Sequence, residues 1–278
     1  MKFLFLDDTK QRRCPREGMN DLIGVGGVVI DAEALRTLEA NLEALMRESG
    51  FPDGAIFKWS PRRTDWMYEN LQGNDRTQFV NAALELCLQA EANFLVAVVE
   101  TERRFATENA EDHETDALNL ALERFDTFLG DEHGVVFVAK PSGGPADEER
   151  LLADCVELRR NGTGFVDFES LAMNVVTIPF RLSRVLQCAD LVAAITVSMV
   201  AGQVRYADNH FETIRAGFLQ NRRGQIGGTG LKIHPDYIYA NLYHWLLGDQ
   251  YLVRGNAGTQ FPIQRRAFAQ SADERLPD

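Results

Sequence analysis

Short unbroken apolar runs alternate along this chain with longer stretches in which apolar residues recur every three or four positions. Phe3–Leu6, Leu22–Ile30 (LIGVGGVVI), Phe94–Glu100 (FLVAVVE) and Val135–Ala139 are runs of strand length, and their continuous apolarity predicts strands covered on both faces. After Asp31, the spacing of Leu35, Leu38, Leu42, Leu45 and Met46 predicts an amphipathic helix that stops at Gly50 and Pro52. Further helices are predicted within Asp65–Gln89, over Asp112–Leu129, Asp147–Arg160 and Ser183–Ala201, with short strands near Gly164–Phe168 and Asn174–Ile178. Strands alternating with helices imply an α/β domain with a mixed sheet and helices on both faces. The glycines of Leu22–Ile30 predict a bulge or a close approach of backbone, and GVGG there has neither the Lys-Ser/Thr ending nor the place before a helix that a phosphate loop needs. Residues 1–230 are expected to form the core. Residues 231–278 read as a helical appendage packed on it, with a helix over Pro235–Leu247 and a polar, mobile tail ending ADERLPD.

Composition changes this picture little. Hydrophobic residues at 45% and charged residues at 25% are ordinary globular proportions. The chain opens MKFLFLDD, too short an apolar run for a signal peptide and without a small-residue cleavage site. No apolar stretch is read as a bilayer span, so a cytoplasmic protein is expected. Cys14, Cys87, Cys155 and Cys188 are far apart, which fits free thiols, and the five histidines show no zinc-binding spacing. The net charge of −12 argues against indiscriminate duplex binding. Only five of the 29 basic residues are lysines, and adjacent arginine pairs recur, Arg62–Arg63 and Arg222–Arg223 among them. Guanidinium forks suit phosphates, although a general arginine bias gives the same pattern.

Candidate chemistry centres on acids. Asp190 is the one acid between Ser170 and Ala207, and it is set among Leu186, Ala189, Leu191, Val192 and Ala193. A carboxylate there must be desolvated, which requires a paired cation or a metal ion. A buried ion pair with Arg181 or Arg184 is one solution. The other is a shared site with Asp7 or Asp8, which end the first strand at the sheet edge where α/β proteins hold ligands. Alternation sends Asp7 to the face of Phe3 and Phe5, and Asp8 to the face of Leu4 and Leu6. Only one of them can therefore join Asp190 directly. Converging carboxylates suit Mg²⁺ or Mn²⁺ and the attack of metal-activated water on phosphorus.

Four segments, Leu6-Asp7-Asp8-Thr9, Gly26-Gly27-Val28-Val29, Phe57-Lys58-Trp59-Ser60 and Leu186-Gln187-Cys188-Ala189-Asp190-Leu191-Val192-Ala193, together resemble the domain of unknown function 3800 family, over roughly Met1 to Gly202. The resemblance implies a ribonuclease-H-like fold and a metal-dependent nuclease associated with defence or mobile elements. Carried over, it points to Asp7 and Asp190 as metal ligands, to Lys58 as a phosphate or carboxylate contact, and to Gln187 as a support; Asp8 is a further candidate for the metal shell and Ser60 a further supporting residue. The family's opening Asp-Glu-Ser-Gly is here Asp7-Asp8-Thr9-Lys10, and the middle strand ends Val138-Ala139-Lys140-Pro141 without an acid. Glu100 is the expected replacement for that missing carboxylate. Cleavage of single-stranded RNA or DNA is thus the leading expectation. A non-catalytic binding or sensor protein on the same fold, or an enzyme acting on a small nucleotide, are the alternatives.

Overall fold

In a computed structural model, residues 1–102, 113–254 and 257–269 are described. Six strands form one mixed sheet: β1 (Lys2–Gln11), β2 (Leu22–Asp31), β3 (Asn93–Glu100), β4 (Gly134–Ala139), β5 (Val176–Ile178) and β6 (Leu231–His234). Their order is β5-β4-β1-β2-β3-β6. Only β2 runs against the rest, since it pairs antiparallel with β1 and β3 while the pairs β1–β4, β4–β5 and β3–β6 are parallel. Period-two alternation sorts the strand side chains into two cores. Phe5, Val28, Val96 and Val98 face one side, and Leu4, Leu6, Val25 and Ala97 face the other.

Eight α-helices are assigned among the described residues: α1 (Ala32–Glu48), α2 (Trp66–Asn70), α3 (Gly73–Gln89), α4 (His113–Leu129), α5 (Pro145–Asn161), α6 (Arg184–Ala201), α7 (Val204–Gly217) and α8 (Asp236–Leu247). The first core packs under α1, α3, α6, α7 and α8, and α4 covers the second. α6 is buried on every side. By length and composition it would suffice to cross a membrane, contrary to the expectation of no such stretch, but 94% of it is buried inside the fold. Its ends are capped by distant parts of the chain. At the N-terminus, Glu39 of α1 accepts hydrogen bonds from the Ser183 hydroxyl and from the backbone N–H groups of Arg184 and Val185, a carboxylate at the positive end of the helix dipole. At the C-terminus, the buried Arg16 donates to the carbonyls of Val200 and Met199.

The long helix expected within Asp65–Gln89 is present as α3, and the short α2 precedes it, set apart by the extended Leu71. Other expectations are corrected. Gly164–Phe168 is loop: the Thr163 hydroxyl accepts the N–H groups of Phe165 and Val166, so the backbone turns instead of extending. Val204–Gly217, to which no element was assigned, is a helix. Its signal was the spacing of Ala207, Phe211 and Ile214, which are all buried. The segment after residue 230 begins with β6, which extends the sheet beside β3. The tail is anchored as far as it is described: Asn241 holds the backbone of Ile263 and Ala267, and the Trp245 indole donates to the Phe268 carbonyl. ADERLPD lies outside the described residues.

Candidate functional site

The site forms where two strands part. β1 pairs with β4 only as far as Leu6 opposite Val138. From Asp7 onward β1 continues with β2 alone, while the end of β4 stays with β5, the Lys140 N–H just beyond it donating to the Ile178 carbonyl. A cleft opens between them at the C-terminal ends of the parallel strands, the edge at which such sheets hold ligands.

Asp190 lies behind this cleft, beside Asp7, because the sheet lacks side chains where α6 crosses it. Asp7 lies opposite Gly26 in the β1–β2 register. A Cβ on the adjacent Gly27 would come within 1.9 Å of the Phe5 carbonyl oxygen and 2.7 Å of the Ala189 Cβ. α6 therefore rests against bare backbone, and the residue after Ala189 is brought beside Asp7. This is the close approach that the glycines predict. Asp7 is buried and faces α6, and Asp8 points to the opposite face of the sheet, toward Glu114 of α4, in a position exposed to solvent.

The two buried acids repel each other. The Asp7 carboxyl is raised well above the usual carboxylate range, by burial first and then by the neighbouring Asp190 and Asp8 charges. Burial likewise raises Asp190, and the Lys58 ammonium and the Trp59 N–H partly offset it. Asp8 is raised by desolvation in the cleft mouth and by Glu114. The ion-pair partner of Asp190 is thus Lys58, with Nζ 3.6 Å from Oδ1, and not Arg181 or Arg184, the arginines named for the ion-pair alternative. Arg184 turns away, donating to the Ala55 carbonyl and facing Glu43 at 3.9 Å.

α6 also clamps the segment that carries Lys58. Gln187 and Asp190, one helical turn apart, accept the backbone N–H groups of Phe57 (3.1 Å) and Trp59 (2.5 Å) respectively. Gln187 further donates to the Phe180 carbonyl at 3.3 Å, so one buried side chain ties both loops that wall the cleft. On the outer side Arg76 donates to the Trp59 carbonyl, and the Trp59 ring meets His210 edge-on at 5.6 Å. Ser60 is exposed and does not line the cleft.

Glu100 does not join the group. It lies on the same face as Asp7 but four positions farther along and two strands across, opposite Leu22, about 16 Å away at the usual strand rise and spacing. There it is fully buried and accepts from the Asn20 backbone N–H (3.1 Å) and side-chain amide (2.6 Å). It anchors the chain that leads into β2.

The cleft has two lobes that share Asp7, Asp8, Ala139, Pro141 and Ser142. One, of about 290 Å³, is acidic, with Glu114, Asp147 and Asp154 against Lys10 and Arg150. The other, of about 590 Å³, is basic, with Lys58, Arg62, Lys140 and Arg181 against Asp65. Sequence reasoning marked Arg62 only as one of several arginine pairs and Arg181 only as a possible partner of Asp190; that the two share a lobe was not foreseen, because they lie far apart along the chain. Among the described residues, no three His, Cys, Asp or Glu side chains gather as a metal-binding group.

No protein-family model matches the chain, and no curated protein matches it.

Proposed function

We propose that this protein is a metal-dependent phosphodiesterase acting on single-stranded RNA or DNA, built on a ribonuclease-H-like core. The observation that carries this reading is a pair of buried, interacting carboxylates, Asp7, which lines both an acidic and a basic lobe, and Asp190 behind it. The fold reading is supported by an antiparallel β1–β2–β3 meander that parallel β4 and β5 extend beyond β1, with helices on both faces. The donors fit one hard cation: Mg²⁺ is commonly held by one or two carboxylates, with waters and substrate phosphate completing its shell. Asp7 and Asp190 would hold it, and when bound it would lower the pKa of a coordinated water and so supply a nucleophile. Lys58 is positioned to share the negative charge of Asp190 and of an incoming phosphate. Gln187 keeps Lys58 in place through the Phe57 backbone. The test is cleavage of labelled single-stranded RNA and DNA with and without Mg²⁺ or Mn²⁺. Cleavage should vanish on chelation and in Asp190→Asn, and cleavage that persists in both would refute the metal-dependent mechanism.

One observation favours a second reading, a binding or sensor protein on the same fold. Lys58 already neutralises part of the acid pair, and among the described residues no third carboxylate completes a metal-binding group with it. Nucleic-acid binding without cleavage under any divalent cation would select that reading.

A further inference from the structure

The basic lobe combines three features that the acid pair does not explain. Arg62 and Arg181 are exposed at its mouth, and among the described residues neither guanidinium has a carboxylate partner. The lobe's two lysines are already engaged, Lys140 with Glu148 at 2.6 Å and Lys58 with Asp190 at 3.6 Å. Asp65, the acid on this side, directs its carboxylate to the Arg62 backbone N–H. Finally, the loops carrying the two arginines are fixed to α6 by one residue, because Gln187 binds the Phe57 N–H on one wall and the Phe180 carbonyl on the other. Two unpaired planar forks on tethered walls form a seat for a tetrahedral anion.

We propose that Arg62 and Arg181 clamp a phosphate of a single-stranded nucleic acid, adjacent to the phosphate that lies at Asp7 and Asp190. The ligand's identity rests on the phosphodiesterase reading. A cavity of about 590 Å³ has room for one nucleotide beyond the acids. A chain with net charge −12 repels polyanions at long range, so attraction has to come from a local basic seat of this kind. The substrate is then a strand of at least two nucleotides that enters through the basic lobe, and a mononucleotide fills only part of the site.

The test is fluorescence anisotropy with a 3′-labelled short oligothymidylate in EDTA, where no divalent cation contributes. Arg62→Ala and Arg181→Ala should each weaken binding at least about tenfold and should flatten the salt dependence by about 0.7 in log–log slope per lost contact. Arg222→Ala, the same charge change on an exposed turn outside the cleft, should leave both unchanged. Unlabelled thymidine monophosphate should displace the probe at least about tenfold less well than unlabelled oligothymidylate does. The clamp is overturned by absent wild-type binding, by equal losses in all three variants, or by a mononucleotide that competes as well as the strand. Unaltered melting temperatures confirm that the variants fold. If binding behaves as described and no cation supports cleavage, the phosphodiesterase reading fails and the clamp stands.

Discussion

Replacing Asp190 separates its structural work from its chemical work. Asp190→Ala removes the acceptor of the Trp59 N–H and the counter-charge of Lys58. A hydrogen bond to a charged group contributes about 1.5–3 kcal/mol. The Lys58 pair adds less than about 1 kcal/mol, because the lysine is partly exposed. Against these stands relief of the repulsion between Asp190 and Asp7. The net loss should be about 2 kcal/mol, a fall in melting temperature of about 4–8 °C for a chain of this size. Asp190→Asn keeps an oxygen that can accept the Trp59 N–H while removing the charge, so its stability should stay within about 1 kcal/mol of wild type. Calorimetric melting of both variants reads the difference, and Mg²⁺ titration of the asparagine variant should show no binding. If Asp190→Asn destabilises as much as Asp190→Ala, the charge itself holds the segment and the hydrogen-bond account fails.

Wild-type protein should bind at most one Mg²⁺, no tighter than about millimolar, worth about 4 kcal/mol, and Ala139→Asp, which adds a carboxylate to the lining shared by both lobes, should tighten it. Two ions bound at micromolar concentration would show that another ligand completes the site. Glu100→Gln should lower the melting temperature by loosening Asn20 yet leave Mg²⁺ affinity unchanged, and a lost affinity would return Glu100 to the site. Gly27→Ala should cost about 3 kcal/mol or more, because its Cβ would collide with the Phe5 carbonyl; a wild-type melting curve would refute the close approach of α6. His210 is held below its ordinary value of 6.5 by burial and by Arg76, so the native state favours the neutral ring. Stability from this group is complete above pH 6.5 and is lost as pH falls below it, and His210→Gln should remove that part of the decline in denaturant midpoints measured from pH 7.5 to 5.

The core strands were legible as unbroken apolar runs, and the nearness of Asp190 to Asp7 was legible for a separate reason. A carboxylate surrounded by apolar residues must be compensated, and the strand-end acids were the nearest chemistry of the right kind. The partner of Asp190 was not legible, since Lys58 and the two arginines were equal candidates by charge and only the clamp at Phe57 and Trp59 selects the lysine. Glu100 shows the limit of local pattern. It follows an apolar run much as Asp7 does, but the β2–β3 register sets it four rows away and two strands across, and register depends on pairing across the sheet. The basic lobe was invisible for a similar reason. Arg62 and Arg181 acquire a common purpose only when Gln187 fastens both their loops to α6.

The position of β6 has a consequence for the order in which the molecule can be finished. Its partner β3 is complete at Glu100, but β6 begins only at Leu231, so one rim of the sheet waits for more than a hundred further residues to leave the ribosome. Until then β3, an apolar strand, shows an edge of unpaired N–H and C=O groups, a template for adding any stray strand. Chains cut between α7 and β6 should therefore form aggregates instead of monomers, even though every group in the proposed site has already been synthesised.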